Sequence, residues 1–165
     1  MSIRYLKITL VVFVGLSGLL FVAGNIANWN AGLELVRHVL SMEGHEIYGS
    51  HIFPPVTNPA LVTIAYLIIL AGESLVGVLS LKGAWDLWSA RRGSADAFNA
   101  AKKYAVLGTG MAMVVWFGGF VVIGGVLFQM WQTQIGAGSF HDAFIFAAAG
   151  ALVLLFVSGP DASEE

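Results

Sequence analysis

The sequence predicts an all-α integral membrane protein, an up-down four-helix bundle, and three observations carry that reading. Hydrophobic residues make up 58% of the 165-residue chain and charged residues only 11%, where soluble domains carry roughly 25% charged residues. Four apolar stretches are each near the length that crosses a hydrocarbon core of about 30 Å. The polar residues gather in the intervals between them. The length fits a single domain, 1–165. Such a chain has the lipid bilayer as its solvent. A net charge of −2 gives no footprint for nucleic acid, and the absence of cysteine excludes disulfides, thiolate metal sites and thiol catalysis.

The first span is expected over 8–27, twenty residues without a charge, after a short basic start with Arg4 and Lys7. The run exceeds the usual 7–15 apolar residues of a signal-peptide core, which favours a retained helix over a cleaved leader. Residues 28–59 then form a polar outer loop holding His38, His45 and His51. Within it, residues 31–42 have helical periodicity, with Leu33, Val36, Val39 and Leu40 on one side. This piece is too short and too charged to span, so it is expected to lie at the membrane surface or to pack on the bundle's outer end. Gly44 and Gly49 break it, and Pro54, Pro55 and Pro59 enforce an extended return. The second span is expected over 60–81, the polar connection over 82–103, the third span over 104–130 and the fourth over 140–157. Residues 131–139 read as a short uncharged turn, and 158–165 as an acidic tail.

Orientation follows from the basic residues. Seven of the eight lysines and arginines lie in the amino terminus and the 82–103 connection. The positive-inside rule therefore predicts that both termini and that connection are cytoplasmic, with the 28–59 loop outside. Trp29, Trp85, Trp88 and Trp131 fall near the expected span ends, where interfacial aromatics belong.

Spanning helices associate through small residues and a few polar contacts. Gly15 and Gly18 in the first span, and Gly118 and Gly125 in the third, are the helix-packing candidates. The latter two are seven apart, hence on one face of an α-helix. Their plain reading is close packing within the bundle, and the functional one a groove for a partner's helix. Glu73 is the one acid well inside a span. It is a candidate proton or cation site, or else a neutral carboxyl hydrogen-bonded to Ser74, Thr109 or a backbone carbonyl. On the outer face, His38, Met42, His141 and Asp142 form a second candidate, because imidazole with carboxylate or thioether suits zinc or copper. No HExxH or other recognised spacing supports a metal, so none is assigned. No histidine lies deep in a span, which removes axial haem ligation. Phosphate-loop and nucleophile-elbow patterns are also missing. No cofactor and no enzyme activity is expected.

Several stretches together resemble a known family. They are His38-Val39-Leu40-Ser41-Met42, Ala65-Tyr66 with Glu73 downstream, Val122-Ile123-Gly124-Gly125 leading to Met130-Trp131-Gln132, and Ala143-Phe144. The chain resembles the bacterial predicted small integral membrane proteins of unknown function, from the first span to the tail. The resemblance implies four spans in a bacterial inner membrane and implies no activity. Glu43-Gly44-His45-Glu46, Ile135-Gly136-Ala137-Gly138 and Val126 depart from the pattern. The expected function is that of a non-enzymatic accessory or assembly subunit docking on other integral membrane proteins, in a larger and possibly respiratory complex. Alternatives are a small transporter or channel using Glu73, and an outer-face metal or ligand binder using His38 and Met42.

Overall fold

The computed structural model describes residues 3–162. Four helices are long and apolar enough to cross a membrane, and no strand occurs among the described residues. The all-α membrane bundle expected from composition is the fold. Helix α1 runs Ile3–Ala27, and α2 (Trp29–Ser41) turns off it at Asn28, which leaves helical geometry at φ −114° and ψ 41°. Helix α3 is Pro59–Ala90, α4 Ala95–Ala100 and α5 Lys103–Ala112. The third span continues from α5 as a π-helical segment, Met113–Leu127, and a 3-10 turn at Met130–Gln132 leads into α6, Gln134–Ser158.

Span boundaries differ from the expected ones where charge was taken as the end of a helix. Helix α3 continues nine residues past Leu81, through Lys82 and Asp86, which pair at 2.5 Å one turn apart. Thirty-two residues at about 1.5 Å each exceed the thickness of the hydrocarbon core, so α3 projects from it. Its start is set by Asn58, whose Oδ1 accepts from the Ala60 amide at 2.9 Å, followed by Pro59 in the first turn. Helix α6 begins six residues earlier than residue 140 because Thr133 caps it, accepting from the Gly136 amide at 3.2 Å. The amphipathic piece is real as α2, and Leu35, Val36, Val39 and Leu40 line a cavity beneath it, with Leu33 also partly buried. It ends at Met42, a buried non-glycine residue at φ 54°, before Gly44 is reached.

Glycine brings the helices to backbone contact. A Cβ on Gly18 would lie 2.7 Å from the Glu73 carbonyl oxygen and 2.8 Å from the Gly77 nitrogen, and one on Gly15 would lie 2.8 Å from Leu81 Cγ. Helix α1 therefore sits directly on α3, as expected of Gly15 and Gly18. The α3–α5 contact is closer still: a Cβ on Gly83 would lie 2.1 Å from the Ala105 nitrogen, and one on Gly108 2.4 Å from the Ser80 nitrogen. The pairing of Gly118 with Gly125 on one face is corrected. A Cβ on Gly125 would strike the Phe140 ring at 2.3 Å, while one on Gly118 meets nothing within 4 Å. The reason is the winding: the Phe128 amide donates to the Ile123 carbonyl, an i→i+5 bond of 2.9 Å. In such a wider turn, seven residues no longer return to the same side.

One end of the bundle is closed by charge. Lys7 and Lys102 both pair with the buried Asp161 carboxylate, Lys7 at 2.7 Å, and both donate to the Gly159 carbonyl. Asn99 Nδ2 donates to the Asp161 carbonyl at 3.1 Å and its Oδ1 accepts from the Asp161 amide at 3.0 Å. Arg4 donates to the Arg91 and Gly93 carbonyls at 3.1 and 2.8 Å. The start of α1, the 91–102 connection and the end of the chain's described part thus share one end, as four spans require.

Two outcomes follow from this packing. Gly83→Leu should destabilise the folded protein in detergent by at least about 1–3 kcal/mol, the usual cost of overpacking, whereas Gly24→Leu, where a Cβ meets open space, should change it by less than about 0.5 kcal/mol. Burial opposes ionisation of Asp161, but the hydrogen bonds from Lys102 and Lys7 outweigh it and hold the carboxyl below its ordinary value. The stabilisation is complete above the unfolded-state value of about 3.9 and is lost as pH falls through the lower folded one. Thermal unfolding across pH should show this loss below about pH 4 in the wild type. In Asp161→Asn, which strands two lysines at a cost of about 3 kcal/mol, the acid-dependent loss should be absent.

Candidate functional site

The candidate site lies where α1, α2 and α3 meet, toward the end of the bundle that α2 covers. Glu73 is 2% exposed on α3. Its Oε2 accepts a hydrogen bond of 2.9 Å from Asn25 Nδ2 of α1, and no ion pair reaches it among the described residues. The partners expected for it do other work. Ser74 Oγ donates to the Leu70 carbonyl at 2.7 Å, and Thr109 Oγ1 to the Ala105 carbonyl at 2.8 Å, each back-bonding its own helix. Asn25 is available because Gly18, seven residues earlier, lets α1 touch the α3 backbone at Glu73 and Gly77. Tyr66, two turns before Glu73, donates its hydroxyl to the Asn25 carbonyl at 2.9 Å. One asparagine thus joins Tyr66 and Glu73 of α3.

Helix α2 closes over this cluster. Gly32 rests on Tyr66, where a Cβ would lie 2.2 Å from the hydroxyl oxygen, and the Trp29 ring meets the Tyr66 ring edge-on at 5.0 Å. Beneath α2 lies a cavity of about 280 Å³. Val36 and Val39 of α2, Ile68 and Ile69 of α3, and Gly119, Ile123 and Gly124 of the π-helical segment are among its walls, and Asn25 stands at its edge. Gly119 and Gly124 both line it, because residues five apart in an i→i+5 winding fall on nearly the same side.

The four histidines do not converge. His38 Nε2 is 3.2 Å from Thr133 Oγ1, tying α2 to the cap of α6. Met42 is buried at the end of α2. His141 is 73% exposed, with only the adjacent Asp142 carboxylate at 3.5 Å. The His45 and His51 rings stack edge-on at 5.8 Å, and His51 Nδ1 lies 3.3 Å from Gln129 Oε1. Burial, with the nearby charge of His51 and His38, pushes the His45 imidazole below the usual histidine range. Among the described residues no three histidine, aspartate or glutamate side chains are grouped to hold a metal ion.

Sequence reasoning missed the residues that hold the loop between α2 and α3 in place. Gln132 Oε1 accepts from the Ile47 and Tyr48 amides, both at 3.0 Å, and its Nε2 donates to Gln129 Oε1 at 2.7 Å. Tyr48 meets Trp131, and Phe53 meets Phe128, edge-on at 5.3 and 5.7 Å. The signal available was a pair of glutamines at the end of an otherwise apolar span.

Compared with known families, residues 3–160 match the model described as predicted small integral membrane protein, DUF2165. The chain belongs to that family. Neither the curated proteins nor the solved structures give a match. Membership in DUF2165 agrees with the four apolar helices and assigns no activity to Glu73 or to the histidine-bearing cap.

The contact between Asn25 and Glu73 can be tested directly. Glu73→Gln in this DUF2165 protein keeps an oxygen to accept from Asn25 and should leave unfolding within about 1 kcal/mol of wild type. Asn25→Leu strands the buried carboxyl and should cost about 1–3 kcal/mol. Unfolding in mixed micelles, followed by tryptophan fluorescence, measures both.

Proposed function

We propose that the protein is a non-enzymatic accessory or assembly subunit, docking on a larger complex of the bacterial inner membrane with both its termini in the cytoplasm. The observation that carries this reading is the division of its glycines. Those between helices of the bundle are consumed: Gly15, Gly18, Gly77, Gly83, Gly108 and Gly125 each press on a neighbouring helix. Gly110 and Gly118, on the lipid-facing side of the third span around exposed Val114 and Phe117, have open space where a Cβ would be. Glycine costs helix stability in a bilayer-exposed position and returns it only when another backbone comes close. A partner's spanning helix supplies that contact.

The fixed outer cap suits the same role, since Gln132, His38 and Thr133 give the largest loop one conformation that a partner can recognise. Sidedness rests on Arg4, Lys7, Arg91, Arg92, Lys102 and Lys103, which collect at one end and favour the cytoplasm. Glu73 fits a hydrogen-bonded lock between α1 and α3 better than a transport relay, because among the described residues its side-chain partner is the amide of Asn25.

The test is purification of the tagged protein from its native membrane in mild detergent, with mass spectrometry of what accompanies it. One or a few integral membrane proteins should co-purify, and Gly118→Leu should abolish that while leaving the protein folded. Free monomer alone, or a partner retained equally by Gly118→Leu, would overturn the reading.

A further inference from the structure

The cavity under α2 has a wall chemistry and a position that define an occupant. Leu35, Val36, Val39 and Leu40 form its roof, from the inward side of a helix whose other side carries the Arg37 ion pairs with Glu34 and Glu43. An amphipathic helix so divided lies at the boundary between headgroups and hydrocarbon. The space below it is therefore at the depth of acyl chains. Its flanks are Ile68 of α3 and Ile123 of the π-helical segment, 66% and 50% exposed, so it opens between those two elements toward lipid. Apart from Asn25 and Ser139, with the Tyr66 hydroxyl committed to the Asn25 carbonyl, its lining offers no polar side chain. A water needs two to four polar partners to be held, and apolar cavities smaller than this one, about 150 Å³, stay dry and take up hydrocarbons.

We propose that this cavity is a binding site for a bilayer phospholipid, which inserts one acyl chain between α3 and the π-helical segment with its headgroup at the level of α2. The i→i+5 winding makes the site: it turns Gly119 and Gly124 to the same wall, and a Cβ on Gly119 would meet nothing within 4 Å. Glycine at 119 leaves room for a chain where any larger residue would enter the cavity. The paired glycines of this span thus divide their work, Gly125 packing on Phe140 and Gly119 leaving space.

The experiment is native mass spectrometry of the protein after stepwise delipidation in detergent, with extraction and identification of what remains bound. Wild type should retain one phospholipid after bulk lipid is gone. Gly119→Phe, which fills the cavity, should lower the retained fraction roughly tenfold or more. Leu155→Phe, which adds the same ring on an exposed face of α6 at the opposite end, should retain it as wild type does. If Gly119→Phe does not fold, Val39→Phe fills the cavity from the roof and is read in the same way. Equal retention by the filled and unfilled proteins, no retained lipid in wild type, or a retained isoprenoid lipid in place of a phospholipid would each overturn the proposal.

Discussion

The structure depends on one constraint: in a bilayer, helices gain nothing from hiding apolar surface from one another, so they join where backbones can touch. Gly18 against the Glu73–Gly77 stretch, and Gly83 and Gly108 against α5 and α3 in turn, are those places. Helix α3 is consequently the middle of the bundle, with α1 on one side and α5 on the other. The polar features follow from that approach. Asn25 reaches Glu73 only because α1 lies on the α3 backbone seven residues earlier, and Tyr66 reaches the Asn25 carbonyl for the same reason.

The two ends of the bundle are closed by different chemistry. The basic end holds a buried carboxylate between two lysines, with the Gly159 carbonyl accepting from both lysines and the Arg91 and Gly93 carbonyls from Arg4. An end at the headgroup layer can keep such groups hydrated at their margins. The other end uses neutral amides, Gln129 and Gln132, with aromatic edges and a histidine–threonine contact. This cap holds the loop through these neutral groups, with the exposed Arg37–Glu43 ion pair beside them, and it places α2 over the cavity. The α1–α3 lock, the roof and the cavity are therefore one connected unit.

Much of this was legible in the residues, and the remainder was not for identifiable reasons. Four apolar runs, few charges and the basic bias toward one end specify a four-span bundle with its termini together. Gly15 and Gly18 show as a close-packing face because α1 is an ordinary α-helix, for which spacing translates into direction. Gly118 and Gly125 mislead because the third span changes winding at Met113, and a spacing rule holds only for the period it assumes. Helices α3 and α6 extend beyond the expected spans because charge and glycine mark where a span stops being apolar, not where its hydrogen bonds stop. Glu73 stands out by being an acid in lipid. Its partner did not, since an asparagine near a span end reads equally well as the start of a loop.

The most direct test of the account is the approach of α1 to α3. The chain has no cysteine, so Gly15→Cys combined with Leu81→Cys introduces one chosen pair, at a place where a Cβ on Gly15 would lie 2.8 Å from Leu81 Cγ. Mild oxidation in native membranes should join them in a disulfide within one chain, seen as a reducible shift in mobility. A pair that stays reduced in a folded protein, under conditions that oxidise an exposed control pair, would contradict the close α1–α3 contact on which the rest of the structure is built.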